Sequence, residues 1–305
     1  MTTFDGLVRE VRQQLMGFTM NQESVSELAI EMANSMADTD TSFTCDQGTV
    51  TNLSRGIVEI DDELILVKAY DATSGVVSIM GLANGRGYEG TVPAAHAQHA
   101  LVTSAPAFPR ARIKKAINDT IRGLYPHLVV FSSTQVTKLA PVIEYELPAD
   151  VDDVWYVVAK LIGPTRVWQP MPNWRYNPQA DTSVFPSGRS IQLLDAITPG
   201  QPVKVVYAHE PADLTAGTDE FTATGYPERL TDLVVYGTCK RLLPALESAR
   251  LQQQSVEATE RAPLVPPASA TRAAGMYASL YQERLEEERA RMMGEIPNYQ
   301  TYQGS

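Results

Sequence analysis

The chain has 305 residues, enough for two or three domains, because a single hydrophobic core stops growing at about 250–300 residues. Hydrophobic residues make up 44% of the chain and charged residues 20%, a composition that argues against disorder and against a membrane protein. The formal net charge of −11 opposes sequence-independent binding to DNA phosphates, although DNA can pass an acidic surface without adhering to it.

Two further features bear on the compartment in which the chain folds. The first residues lack the basic and apolar regions of a secretory signal, and no later run reaches the ~18–20 apolar residues of a transmembrane helix. Cys45 and Cys239 lie far apart in the sequence and match neither a disulfide framework nor a metal-binding pair. We therefore expect two buried thiols in a protein that folds in a reducing cytoplasm.

The N-terminal segment, 1–40, is predicted to be helical. Apolar residues follow helical spacing on both sides of a break at about Gly17 to Asn21. They are Leu7, Val11 and Leu15 before the break, and Val25, Leu28, Met32 and Met36 after it. We expect two short helices or one kinked helix.

The next segment, 41–107, is predicted to form a small antiparallel sheet or barrel. Short β-rich runs alternate with turn residues such as Asp61-Asp62 and Thr73-Ser-Gly75. A core helix follows over 108–126, where Pro109 suits a first helical residue and Pro126 stops the pattern. One face of this helix carries Ile113, Ala116, Ile117, Ile121 and Leu124.

The segment 127–214 has the spacing of a β-sandwich. At least five strand-like runs are separated by Pro and Gly. They include Val142–Glu146, Val154–Val158, Arg166–Trp168, Ile191–Leu194 and Val203–Tyr207. Because the segment falls between helical patterns, we interpret it as an insertion in a helical core.

The C-terminal helices of that core are predicted over 226–294. A helical pattern begins at Pro227, and Pro244 predicts a kink in it. A Pro-rich linker then precedes a last helix at about 270–293. Residues 295–305 have no period of their own. The predicted fold class is α+β: a helical core with two inserted antiparallel β modules, one a small sheet or barrel and one a β-sandwich, and an extended C-terminal tail.

A literal G-x-G-x-x-G motif at Gly85–Gly90 does not have the surroundings of a nucleotide site. Pro93 stands where the phosphate-binding helix would begin, and no βαβ alternation surrounds the motif. Glycines with positive φ in a loop are the favoured interpretation. His96 and His99 lack a third metal ligand nearby in the sequence, so we interpret them as core or interface histidines.

Acidic clusters at 61–63 and 150–153 flank strand runs, and we interpret them as solvated turns. No catalytic, cofactor-binding or metal-binding residue is predicted. The tryptophans fit either core packing in a sandwich or a carbohydrate platform, and they are Trp155, Trp168 and Trp174.

Basic residues crowd the N-terminal turn of the core helix, where the helix dipole disfavours cations. They are Arg110, Arg112, Lys114 and Lys115. This placement calls for an anionic partner, either a carboxylate-rich face of a neighbouring subunit or a phosphate backbone. A merely solvated basic turn is the alternative.

Several segments distributed over most of the chain carry a family resemblance. They are Thr39–Thr44, Gly56–Leu64, Arg86-Gly, Gly90-Thr, Ala95-His-Ala, Phe108-Pro-Arg, Ala116–Ile121, Leu230–Gly237 and Tyr281–Arg289. Together they resemble the head-to-tail adaptor (connector) proteins of tailed phages infecting actinobacteria.

The resemblance implies a non-enzymatic subunit of the phage neck, which assembles in the host cytoplasm and ends up in the virion. Such subunits form a ring, usually of twelve copies, that docks under the portal protein, extends the DNA channel and presents a surface to a downstream neck or tail protein. DNA would pass without sequence recognition, and no membrane or cofactor is implied. The rival interpretations are another neck or baseplate protein, such as a stopper, and a carbohydrate-binding module.

Within this resemblance, two sets of residues receive roles. An extended peptide gains affinity by lying along a sheet edge or groove, and tyrosine offers contact area at low entropic cost. We therefore predict that Ile296, Tyr299 and Tyr302 in the tail bind the portal. The basic turn at 110–115 is predicted to lie at the subunit interface, and the wall of the DNA channel is predicted to be predominantly negative.

Overall fold

The computed structural model of the chain describes residues 2–16, 29–45, 53, 56–160, 167–245 and 269–295. In these ranges the protein is a mixed α+β structure with five α-helices and several antiparallel sheets, which confirms the α+β class, while the helical core and the sandwich stay predictions. The chain divides into two compact units. The half-barrel unit comprises Thr3–Asp119 and Thr231–Tyr281, and the two-sheet unit comprises Met1–Thr2, Thr120–Leu230 and Gln282–Ser305.

The half-barrel unit contains one curved six-stranded antiparallel sheet. Its strand order is β1-β6-β3-β4-β5-β2. The strands are β1 (Ala29–Glu31), β2 (Ser42–Thr44), β3 (Gly56–Ile60), β4 (Glu63–Asp71), β5 (Val76–Ile79) and β6 (Leu101–Ser104). A bridge between Met32 and Cys45 connects the ends of the two edge strands. The concave side is filled by buried apolar residues that include Met32, Phe43, Val58, Ile65, Val77 and Val102.

The predicted second N-terminal helix is wrong from Ala29 onward. Residues 29–31 form strand β1, in which Ile30 pairs with Val102, and Met36 makes a bridge with His96. Met32 and Met36 are both buried. A separation of four residues suits one face of a helix and one face of a strand equally, so their spacing could not decide between the two. Residues 17–28 lie outside the described ranges.

The helices are α1 (Phe4–Met16), α2 (Leu82–Gly85), α3 (Arg110–Leu124), α4 (Thr231–Leu242) and α5 (Ser269–Glu295). In the half-barrel unit, α1 packs against α4. Tyr277 of α5 lies beside Tyr236 of α4, with ring centroids 6.2 Å apart, and its hydroxyl donates to the Gln14 side chain of α1 over 3.1 Å. These contacts join α1, α4 and α5, and the helical core as a whole stays a prediction.

Helix α3 buries the predicted apolar face. Ile113, Ala116, Ile117, Ile121 and Leu124 are all buried, and the helix ends at Leu124, before Pro126. The helix predicted to begin at Pro227 instead starts with a short 3-10 turn over Glu228–Leu230 before α4. α4 ends at Leu242, two residues before Pro244, which lacks the backbone N–H that a helix interior requires.

The two-sheet unit contains a four-stranded sheet, in the order β10-β9-β13-β7, and a three-stranded sheet, in the order β11-β12-β8. The strands are β7 (Val130–Thr137), β8 (Glu144–Glu146), β9 (Asp153–Lys160), β10 (Trp168–Pro170), β11 (Trp174–Asn177), β12 (Ser190–Leu193) and β13 (Pro202–His209). Apolar residues of both sheets form one buried core, among them Tyr145, Val157, Ile191, Val203 and Val205. The domain boundaries and the interpretation of 127–214 as a sandwich insertion stay predictions.

Candidate functional site

A buried ion pair between Glu63 and Arg86 organises the loops of the half-barrel unit. Both side chains are at most 1% exposed. The Arg86 guanidinium donates from Nε to Glu63 Oε1 over 2.7 Å and from Nη2 to Oε2 over 2.9 Å. Its remaining donors reach the carbonyl oxygens of Ala37, Asp40 and Ala94. One side chain thus fixes three separate segments of the chain.

Glu63 accepts further hydrogen bonds, and no solvent is needed to satisfy it. The backbone N–H groups of Gly87 and Ala94 donate to its two oxygens over 2.9 and 3.0 Å, and His96 Nε2 lies 2.9 Å from Oε2. Burial by itself would raise the pKa of Glu63, but the hydrogen bonds from Arg86, Ala94, His96 and Gly87 outweigh it and lower the pKa to about 2. Glu63 is therefore a buried carboxylate that stays ionised.

His96 joins this network to the turn between β3 and β4. Its Nδ1 lies 2.8 Å from Asp61 Oδ2, and its side chain is 1% exposed. The interpretation of 61–63 as a solvated turn is correct for exposed Asp61 and Asp62 and wrong for Glu63. His99, by contrast, is exposed and lies 3.2 Å from Glu31.

The G-x-G-x-x-G segment, Gly85–Gly90, takes part in the hydrogen-bond network around Glu63. Gly87 has a φ of 61° and Gly90 a φ of 82°, as the loop interpretation requires, whereas Gly85 is the last residue of α2. The Gly87 N–H is directed at Glu63. A Cβ at Gly87 would lie 2.6 Å from the carbonyl oxygen of Thr91. Any residue other than glycine at this position would therefore clash with the backbone. The amide that a nucleotide-binding loop would offer to a phosphate is occupied by a carboxylate of the same chain.

A second cluster explains the basic residues at the start of α3. Arg110 donates to Asp5 of α1 over 2.8 Å and to Asp62 over 3.1 Å, and Lys114 donates to Asp62 over 2.6 Å. Glu59 of β3 accepts the backbone N–H of Arg110 over 2.5 Å, which gives the helix an anionic group at its positive end. For Arg110 and Lys114, the anionic groups that the sequence called for lie within the chain.

The charges in this second cluster reinforce one another. Burial acts to raise the pKa of Asp62, but the hydrogen bonds from Lys114 and Arg110 lower it below its usual value. Arg12 adds a further cation, since its Nη2 lies 2.7 Å from Glu59 Oε1. The cluster ties α1, the β3–β4 hairpin and α3 together.

Arg112 and Lys115 occupy a different position on the same helix. Both side chains are exposed, and within the described ranges neither has an ion-pair partner. The structure therefore divides the predicted interface residues into two sets: Arg110 and Lys114, held by carboxylates of their own chain, and Arg112 and Lys115, which face solvent. The assignment of all four to a subunit interface stays a prediction.

A third charged cluster, in the two-sheet unit, was missed by the sequence analysis. The Glu288 side chain of α5 is 3% exposed and lies 2.9 Å from both Arg229 Nε and Arg284 Nη1; Arg291 approaches to 3.5 Å. Burial acts to raise the pKa of Glu288, and the two nearer arginines lower it. Helical periodicity could have indicated that Glu288 is buried, because Glu288 lies on the same face of the helix as Tyr277, Tyr281 and Leu285, which are all buried.

The other candidate residues have simple placements. Trp174 packs against the buried core of the two sheets, which favours core packing over a carbohydrate platform for that residue. Asp150 and Asp153 are exposed, as a solvated turn predicts, and Asp152 is half-buried.

Both cysteines are buried thiols, and burial raises the pKa of Cys239 to about 12. The predicted portal-binding residues, Ile296, Tyr299 and Tyr302, lie outside the described residues.

Two negative findings apply to the part of the chain that the structure describes. It contains no cluster of three or more His, Cys, Asp or Glu residues suited to a metal ion. None of its helices combines the length and the apolar character needed to cross a membrane.

Comparison with known proteins identifies the family. The family model of the SU10 adaptor protein matches residues 94–297, about two thirds of the chain. The chain belongs to the SU10 adaptor protein family. It is thus a phage head-to-tail adaptor and a structural protein of the virion. The matched range of this adaptor includes His96, α3, both sheets of the two-sheet unit and α5. No curated protein matches the chain, and the actinobacterial host stays a prediction.

Proposed function

We propose that this adaptor is a non-enzymatic subunit of a ring at the phage head–tail junction. The ring docks under the portal protein, extends the DNA channel and presents a surface to the next neck or tail protein. Membership of the SU10 adaptor family over residues 94–297 carries the proposal. The internal networks around Glu63, Arg110 and Glu288 support it, because each satisfies its charges within the chain rather than offering them to a substrate.

The charge of the chain supports different roles for two surfaces of the ring, an acidic channel wall and a basic patch at the subunit interface. With a net charge of −11, the channel wall would be predominantly negative and would let DNA slide past with little adhesion. The exposed cations Arg112 and Lys115 would then face an acidic surface of the neighbouring subunit rather than DNA. Mapping either side chain to the channel wall would contradict this division.

A reconstruction of purified virions tests the proposed function directly. We expect a closed ring of this chain, of about twelve copies, in contact with the portal and coaxial with the DNA channel. The position distinguishes the rivals, since a stopper would lie below another neck ring and a baseplate protein at the far end of the tail. An absence of the chain from the junction between portal and tail would overturn the proposal.

A further inference from the structure

Strand β7 leaves one long edge of the four-stranded sheet open. It pairs with β13 over its whole length, from Val130 opposite His209 to Thr137 opposite Pro202, without a register shift. Among the described residues, no strand lies on its other side, and no backbone group there bonds to it. The backbone donors and acceptors of this eight-residue strand that point away from β13 are therefore open to whatever lies beside them.

The ladder shows which backbone groups point outward. The N–H of Lys138 donates to the carbonyl oxygen of Gln201 over 2.9 Å, continuing the ladder with β13. Because successive residues of a strand direct their backbone groups to opposite sides, the outward groups belong to alternate residues counted back from position 138. They are Phe131, Ser133, Gln135 and Thr137, the same four whose side chains are exposed.

Most exposed sheet edges carry features that prevent pairing with another chain, such as charges, proline, bulges or very short strands. β7 has none of these over its eight residues, Val-Phe-Ser-Ser-Thr-Gln-Val-Thr. The opposite edge strand of the same sheet, β10, is three residues long and includes Pro170. The edges of the three-stranded sheet are three and four residues long. β7 is thus the unprotected edge of the two-sheet unit.

No described strand of a second copy of this chain matches β7 in a ring. The other edge strands of both units, among the described residues, have three or four residues and would leave about half of β7 unpaired. Pairing of β7 with β7 would be two-fold symmetric, and such an interface closes at two subunits instead of continuing around a ring. None of the described strands of this chain therefore fits the edge, which points to a strand from a different protein.

We propose that the outer edge of β7 pairs with an extended strand of another phage protein of the head–tail junction. The inference rests on the proposed function and deepens it, since it names the surface by which the adaptor holds its partner. Main-chain hydrogen bonds would supply affinity and alternate side-chain contacts would supply specificity, as in other cases of strand addition.

The side chains of β7 define the chemistry of the incoming strand. Phe131 is 40% exposed and packs edge-on against Trp155, with ring centroids 4.8 Å apart. This pair offers an apolar anchor at the start of the edge, while Ser133, Gln135 and Thr137 offer uncharged polar contacts. The partner strand is accordingly uncharged, with one aromatic or aliphatic residue over Phe131 and polar or β-branched residues along the rest.

Hydrogen exchange provides the first test. Exchange of the backbone amides of residues 131–137 is compared between the purified adaptor and purified virions that contain it. We expect about tenfold slower exchange of the outward amides in the virion, because opening then requires release of the partner strand. Equal rates in the two samples would overturn the inference.

A pair of substitutions at one residue provides the second test. Ser133→Pro removes an outward N–H that β13 does not use, and proline is tolerated in edge strands at such positions. Ser133→Ala keeps that N–H and is the matched control. We expect both variants to retain the wild-type urea midpoint. Ser133→Pro is expected to reduce the yield of complete virions about tenfold or more, because it removes one hydrogen bond to the partner strand and its ring obstructs that strand.

The outcomes separate the inference from the proposed function. If the adaptor lies at the head–tail junction but β7 exchanges as in the free protein, only the inference fails. If the adaptor is absent from the junction, the proposed function fails as well. A dimer of the free protein that Ser133→Pro dissociates would assign the edge to a second copy and would also overturn the inference. If Ser133→Pro does not fold, the hydrogen-exchange measurement on the wild-type protein still shows whether β7 is paired with a partner strand in the virion.

Discussion

The position of Glu63 shows how one carboxylate can fix several loops. It is buried with Arg86 and also accepts hydrogen bonds from two backbone amides and from His96. Removing one partner of a buried ion pair leaves the other charge without compensation, which costs far more than the pair contributes when intact. The network is therefore a point at which single substitutions have large effects on stability.

Arg86→Ala is expected to lower the free energy of unfolding by about 3–5 kcal/mol, since it leaves Glu63 buried without a cation. Urea denaturation measures this value. Glu31→Gln is the control in the same unit, because the pair of Glu31 with His99 is exposed on both sides and such a change costs at most about 1 kcal/mol. Similar urea midpoints for the two variants would contradict a stabilising role for Arg86.

The lowered pKa of Glu63 predicts a pH dependence with a definite sign. Its ordinary value is 4.5 and its folded value is about 2, so the unfolded chain binds the proton first as the pH falls. The stabilisation is fully present above pH 4.5 and is lost between pH 4.5 and 2, by about 3 kcal/mol. Urea midpoints of the wild-type protein measured across this range should follow that loss.

Glu63→Gln isolates this effect from the other carboxylates of the chain. The variant resembles the protonated state of Glu63, so it should be much less stable than the wild type at neutral pH and should approach it in stability near pH 2. A constant difference between the two proteins over that range would show that Glu63 is not the titrating group.

At the scale of elements, α3 illustrates how a helix divides its charges. Arg110 and Lys114 are held by carboxylates of α1 and of the β3–β4 hairpin, and Glu59 accepts the helix N-terminal amide of Arg110. These contacts offset the unfavourable position of cations near the positive end of the helix dipole. Arg112 and Lys115 have no such role within the described ranges, and we predict that α3 meets a partner through them.

Reversal of the two exposed charges tests that assignment. The double variant Arg112→Glu, Lys115→Glu is expected to fold like the wild type but to assemble into rings at least about tenfold less readily, because like charges would then face each other across the subunit interface. Sedimentation velocity reports the ring fraction. Lys68→Glu, which reverses another exposed cation, is the matched control and should leave assembly unchanged. Normal rings in the double variant would remove both residues from the interface.

For the molecule as a whole, truncation tests the predicted portal-binding tail. A chain that ends after Gly294 is expected to keep the wild-type thermal stability, because it retains every described strand and all but the last residue of α5. Its binding to purified portal rings should fall at least about tenfold, since Ile296, Tyr299 and Tyr302 are removed. Surface plasmon resonance on immobilised portal measures the loss.

A second truncation controls for length. A chain that ends after Tyr302 keeps all three residues and should bind the portal like the full chain. Undiminished binding by the shorter chain would assign the portal contact to another surface.

Local patterns in the sequence predict those features that depend on neighbours along the chain. Helix α3 with its buried face and the last helix follow from helical periodicity. Pro244 predicted a kink, and α4 ends two residues before it. The β-rich character of 41–107 follows likewise from alternation and turn residues.

The fold brings together charged residues that no local pattern connects. Arg86 and Glu63 are 23 positions apart and Arg110 and Asp5 are 105 apart, so no local pattern announced either pair. The strand at Ala29–Glu31 exists because β6 lies beside it, although the spacing of its neighbours also suits a helix. The openness of β7 follows from the strand order of its sheet. Burial and pairing depend on which distant segments the fold brings together, and that information is distributed over the whole chain rather than contained in any one segment.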